Sequence, residues 1–126
     1  DVTGVQTCAL PISAELSPCT QQRDFLAVDD LCRAYGALAK DFDRQMFDVF
    51  NICSGQAMEL KTLLLDVARI IGADAGLLNF GARPMRAGEP EVSFGDNAKA
   101  RSLLGWEPGP LEDALRGLIA HVQETP

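Results

Sequence analysis

An α/β or α+β unit of about four helices and roughly three short strands is what this chain of 126 residues predicts. Two observations carry that expectation. Apolar residues recur at i, i+3, i+4 and i+7 in several places, which is the pattern of a helix with one buried face. Between those stretches lie short apolar runs closed by Ser, Gly or Pro, the pattern of short strands.

Taken in order, the first segment is the exception. Residues 1–12 (DVTGVQTCALPI) hold no sustained period of two or 3.6 and no helix cap. They resemble the in-frame translation of a sequencing-library adapter, so a non-native scar is expected at 1–12 and folded protein over 13–126. Ser13 to Gln22 is polar, carries Pro18 and reads as loop. Arg23 to Val28 reads as a short strand or extended entry segment, and Asp29-Asp30 open a helix whose stripe is Leu31, Ala34, Tyr35 and Leu38. Acids at its start and Lys40 at its end suit the helix dipole. Asp41 to Gln45 is a charged turn, and Phe47 to Cys53 alternates as a strand would before Ser54-Gly55 ends it. A strong helical stripe follows at Leu60, Leu63, Leu64, Val67, Ala68 and Ile71, with Gly72 as its stop. Leu77 to Phe80 is a further short strand. Asp96 is placed to cap a helix by accepting the Lys99 amide, Ala100, Leu103 and Leu104 form its inner side, and Gly105 breaks it. Trp106 is expected as a plug under the last helix, which Pro110 starts and Leu111, Ala114, Leu115, Leu118, Ile119 and Val122 anchor.

Composition narrows the function. A net charge of −7 argues against non-specific binding to nucleic acid or anionic lipid. No apolar run approaches the ~20 residues that span a bilayer. Cys8, Cys19, Cys32 and Cys53 are scattered without a C-x-x-C pair, so reduced thiols in a cytoplasmic protein are expected rather than zinc or a disulfide framework.

The candidate chemistry lies in cations. Arg23, Arg83 and Arg86 present planar forks of donors that match phosphate oxygens in pairs and stay charged. Gly88 allows close backbone approach, and Glu89 can accept from sugar hydroxyls. The plainer reading is that these arginines pair with Asp24, Glu89 or Glu91 on the surface. Asp29 and Asp30 point in different directions from one helix and read as helix-start charges, and His121 reads as a partly exposed helix residue. Ser54 lacks the G-x-S-x-G context of a nucleophile elbow. There is no G-x-G-x-x-G turn for a dinucleotide, and Tyr35, the only tyrosine, has Ala39 rather than lysine four residues on.

Four ordered motifs carry a resemblance: RDFLAVDD from Arg23, FNICSG from Phe50, RAGEP from Arg86 and DNAKARSLLGWEP from Asp96. Together they resemble the C-terminal part of the extended short-chain dehydrogenase/reductases, the NAD-dependent sugar-nucleotide epimerases and dehydratases. The resemblance implies the substrate-binding lobe of an extended Rossmann-type enzyme, with the Rossmann half, its NAD(P) site and its Tyr/Lys catalytic pair absent from this chain. It further implies that Arg23 and Arg86 grip the diphosphate of a nucleotide-diphosphate sugar and that Glu89 contacts the ribose. Many members carry Asp where this chain has the longer Glu89. Arg83 has no fixed counterpart. The parent enzyme would be a cytoplasmic homodimer joined through the other half. It would use NAD(P) for hydride transfer, with the tyrosinate as base, and the present fragment would bind no cofactor and be inactive alone. Two other readings fit the same residues: a stand-alone, non-enzymatic nucleotide- or partner-binding module, and a gene fragment with no function of its own.

Overall fold

The computed structural model describes residues 13–40 and 48–124. The expected scar at 1–12 and the charged turn at 41–45 lie outside the described residues.

Four helices are present among them: α1 (Val28–Lys40), α2 (Leu60–Ile71), α3 (Ala98–Leu104) and α4 (Leu111–Glu124). Each falls where a stripe predicted it. Gly72 and Gly105 end α2 and α3 in left-handed conformation at φ 71° and 60°, which a residue without Cβ adopts at no steric cost. The amide of Gly105 donates to Arg101 O at 3.1 Å, closing the last turn of α3.

The strands are shorter and more numerous than the apolar runs suggest. They are β1 (Ala14–Leu16), β2 (Gln22–Arg23), β3 (Met58–Glu59), β4 (Leu78–Phe80) and β5 (Val92–Ser93). β1 lies parallel to β4 with Ala14 opposite Leu78, so part of the polar loop read at 13–22 is strand. β2 is the middle strand of three, antiparallel to β3 and parallel to β5. The strand expected at 47–53 is not assigned over its described part, Asp48 to Cys53. Side chains take its carbonyls in place of a ladder: Lys99 Nζ donates to Val49 O at 2.9 Å and Asn97 Nδ2 to Cys53 O at 2.8 Å.

α2 starts against the loop that joins β1 to β2. The amides of Leu60 and Lys61 donate to Gln21 O at 3.0 Å and Cys19 O at 2.8 Å. Two of the donors that a helix start leaves unpaired are thus satisfied by backbone. Cys19 takes φ 55° to aim its carbonyl there, with its side chain buried.

The core gathers around Trp106, only 4% exposed, packed with Ala34 of α1 and Ala100 of α3 and flanked by Leu26, Phe50, Ile52 and Leu104. The small alanines let α1 and α3 approach closely enough to clasp the indole between them. Its Nε1 donates to Asp30 O at 2.9 Å. Trp106 is therefore a plug under α1 and α3 and not under the final helix, because the left-handed turn at Gly105 swings it back beneath α1. Asp30 is correspondingly more than a helix-start charge. It is 5% exposed and accepts from Gly109 N at 3.1 Å while pairing with Arg33. The carboxylate holds the turn that follows Trp106 against α1.

Outside this cluster the packing is thin. Tyr35 is 66% exposed, and Leu31 and Val28 on the same helix are also open. Ala34 of the predicted stripe is buried and Leu38 partly covered, and Asp30 turns inward beside Ala34, so the inner face of α1 is shifted towards Trp106. Leu118 and Val122 of α4 are likewise exposed. Among the described residues no helix is long and apolar enough to cross a membrane.

Trp106→Ala should cost about 3–5 kcal/mol, the range for emptying a core of a large aromatic. Urea unfolding measures it, and a loss under about 1 kcal/mol would show that the indole is not the centre of this packing.

Candidate functional site

Arg23 sits on the central strand β2, with Met58 opposite on β3 and Ser93 opposite on β5. Its Nη2 donates to Glu89 Oε1 at 2.8 Å and its Nη1 to Gln22 O at 2.7 Å. Both partners of the ion pair are 26% exposed, so the pair is largely covered.

Glu89 ends a tight turn whose first residue is Arg86. The Glu89 amide donates to Arg86 O at 3.3 Å, and Gly88 within the turn has φ 75°. A Cβ at position 88 would be strained there. The turn is tied back to β2 by Gln22 N donating to Glu91 O at 2.8 Å. The chain thus brings Arg23 and Glu89 into direct contact and places Arg86 one turn away on an exposed corner. Arg83 is used differently: its amide donates to Leu16 O at 3.0 Å and its Nε lies 3.7 Å from Glu15 Oε2, docking the loop onto β1.

Beneath this corner lies a polar knot that sequence reasoning did not identify. Asp24 Oδ1 accepts from Ser54 N at 2.7 Å, and Oδ2 accepts from Gly55 N at 3.1 Å and Gly95 N at 3.3 Å. Asn97, 7% exposed, donates from Nδ2 to both Cys53 O and Ser54 O at 2.8 and 3.1 Å. Close approach demands the glycines: a Cβ at Gly95 would lie 2.6 Å from Cys53 Sγ, and one at Gly55 would lie 3.1 Å from Asn97 Nδ2. Burial pushes the Asp24 carboxyl up, but hydrogen bonds from the Ser54 hydroxyl and the three amides outweigh it and hold the pKa below 3.8. Burial and the nearby Asp24 charge push the Cys53 thiol up, the direction of an inert cysteine. The available signal was Asp24 itself, read as a surface partner for an arginine when its two oxygens are committed to amides.

Asp96 accepts from Ala98 N at 2.8 Å and not from Lys99 N, because α3 begins one residue later than a cap at Asp96 requires, with Asn97 at the N-cap position. Lys99 instead reaches Asp48 and lies 4.8 Å over the Phe50 ring. A separate cleft of about 430 Å³ opens between the start of α1 and the Pro108-Gly109-Pro110 turn, with Asp30, Ser54, Glu59 and Arg101 among its polar lining. Neither Arg23 nor Glu89 lines it.

A partly buried arginine thus pairs with a carboxylate beside a glycine turn that bears a second arginine, on a small α/β sheet. The chain belongs to the family of NAD-dependent sugar-nucleotide epimerases and reductases. It is 31% identical over 90 residues to UDP-glucose 4-epimerase of Lactobacillus helveticus, covering 71% of this chain and 26% of that protein. It is 30% identical over 99 residues to GDP-6-deoxy-D-mannose reductase of Pseudomonas aeruginosa, covering 78% of this chain and 32% of that one. The fold matches UDP-glucose 4-epimerase of Thermotoga maritima, solved with UDP-glucose, at a TM-score of 0.74 and 28% identity over 90% of this chain and 35% of that one. Other solved neighbours hold NADPH or NAD. The chain thus spans about a third of the length of the relatives it matches. No protein-family model matches it.

Asp24→Ala should destabilise the chain by about 2–3 kcal/mol at pH 7, since buried amides lose a charged acceptor. Because the folded carboxyl titrates below 3.8, the charge-dependent part of that contribution is complete above this value and is lost as pH falls through the lower folded pKa. Urea unfolding of both proteins from pH 7 to pH 2.5 should show the gap closing only below about pH 4. A gap that is constant across the range would contradict the role given to Asp24.

Proposed function

We propose that this chain is the nucleotide-sugar-binding lobe of an NAD(P)-dependent sugar-nucleotide epimerase, dehydratase or reductase. The observation that carries the reading is the corner itself: Arg23 on a central strand, contacting Glu89, with Arg86 on the same short turn. In this reading Arg23 and Arg86 hold the two phosphates, and Glu89 faces the ribose. A diphosphate offers several oxygens to two guanidinium forks, and each charge-assisted hydrogen bond there contributes about 1.5–3 kcal/mol.

The lobe's part in catalysis is to bind and to orient. Clamping the diphosphate fixes the far end of the substrate, so the sugar is presented in one pose to groups elsewhere in the enzyme. NAD(P), when bound, supplies the hydride chemistry, and the residues of this chain do not fit it. The sequence has no glycine-rich dinucleotide turn. The start of α2, which follows a short strand as a phosphate-binding helix would, has its amides at Leu60 and Lys61 already bonded to Gln21 O and Cys19 O. The cofactor and the acid–base pair are therefore assigned to the part of the enzyme that corresponds to the other two thirds of its relatives' length. A homodimer in the cytoplasm, joined through that part, completes the proposal.

Calorimetric titration with UDP-glucose and GDP-mannose tests it. Arg23→Ala and Arg86→Ala should each weaken binding about ten- to a hundred-fold, the loss of one charged contact. Binding that survives both substitutions would dismiss this corner as the nucleotide site.

A further inference from the structure

We propose that Glu89 is a positioning residue for Arg23, holding the guanidinium at the angle at which it receives a phosphate. The inference rests on the diphosphate reading of the corner and goes beyond it, since it gives Glu89 a task that needs no ribose. Arginine carries five N–H donors on a long, flexible stem, so a phosphate that captures a loose arginine must also freeze it. Here the freezing is already done. Nη1 is bound to Gln22 O at 2.7 Å and Nη2 to Glu89 Oε1 at 2.8 Å. Each nitrogen carries two hydrogens, so these single contacts leave one on each, and Nε as well, for an incoming anion. A carboxylate gripping both nitrogens side by side would have filled the fork. One oxygen on one nitrogen steers it.

The strut can be removed without removing the turn. Gln22 N to Glu91 O and Glu89 N to Arg86 O are backbone bonds, and neither involves the Glu89 side chain. Glu89 keeps 26% of its side chain exposed and is not part of the apolar core around Trp106, so truncating it leaves that core intact. Electrostatics alone predicts the opposite effect, because deleting a negative charge beside a phosphate site tightens anion binding. A loss of anion affinity would therefore report orientation and not charge.

The experiment titrates the chain and its Glu89→Ala and Glu89→Gln variants with inorganic pyrophosphate and, separately, with UDP. Pyrophosphate offers the two linked phosphates of the clamp's ligand and no ribose. Glu89→Ala should weaken both ligands by about five- to twenty-fold, the effect of losing one orienting contact. Glu89→Gln, whose amide oxygen can still accept from Nη2, should stay within about three-fold of the parent for pyrophosphate. If Glu89→Ala weakens UDP but leaves pyrophosphate unchanged, Glu89 is a ribose contact and the positioning role is overturned. If pyrophosphate binds Glu89→Ala as well as the parent or more tightly, the carboxylate is a competitor for Arg23 and the proposal again fails. If the unsubstituted chain binds neither ligand, the diphosphate reading itself falls, and this inference with it.

Discussion

The Asp24 carboxylate is the contact on which the rest of the arrangement depends. Its two oxygens collect three amides from two places: Ser54 and Gly55 at the end of one extended segment, and Gly95 from a stretch some seventy residues from Asp24 in sequence. A hydrophobic residue could not do this. The amides belong to turns too tight for side chains, and only a charged acceptor can satisfy several at once in so small a volume. Asn97 repeats the logic from the opposite direction, donating to the carbonyls of the same Cys53-Ser54 bend.

With that knot in place the neighbouring Arg23 has no freedom of address. Its strand is fixed on both sides, the turn bearing Arg86 and Glu89 is bonded back to it, and the guanidinium meets Glu89. Trp106 and Asp30 make a second fixed point, pinning α1 to the end of α3 and to the glycine-proline turn beyond. Between these points the apolar packing is sparse. The covered apolar residues among those described are Cys19, Ala34, Ala68, Ala100 and Trp106, while Val28, Tyr35, Leu118 and Val122 stay open. Polar contacts of long sequence separation set the geometry here more than core volume does.

That division explains what could be read from the chain beforehand. Helix positions follow from local period and stop residues, so α1 to α4 and the glycine ends of α2 and α3 were legible. Leu77 to Phe80 was legible as a strand and forms β4 at Leu78–Phe80, but the two-residue strands Gln22–Arg23, Met58–Glu59 and Val92–Ser93 exist only through their pairing with one another. Half of the expected inner face of α1 is covered: Ala34 is buried against Trp106 and Leu38 is partly covered, whereas Leu31 and Tyr35, which fit the same period, stay exposed. The cations at 23 and 86 and the acid at 89 were visible as residue types able to hold a diphosphate. Their meeting was not derivable from spacing, since Arg23 and Glu89 are brought together by the pairing of β2 with β5 and the Gln22–Glu91 backbone bond. Asp24 was hidden by its charge, which suggests a surface partner until the amides around it are seen.

The central claim is that a nucleotide diphosphate lands on the corner formed by Arg23 and the turn from Arg86 to Glu89. Amide-resolved NMR of the chain titrated with UDP tests it most directly. The account predicts that the largest shifts fall on Gln22, Arg23 and Arg86 to Glu91, with the amides of α4 and of the cleft beside Gly109 nearly still. Shifts centred on that cleft or on the open faces of α1 and α4 would contradict the account, as would a spectrum indifferent to UDP.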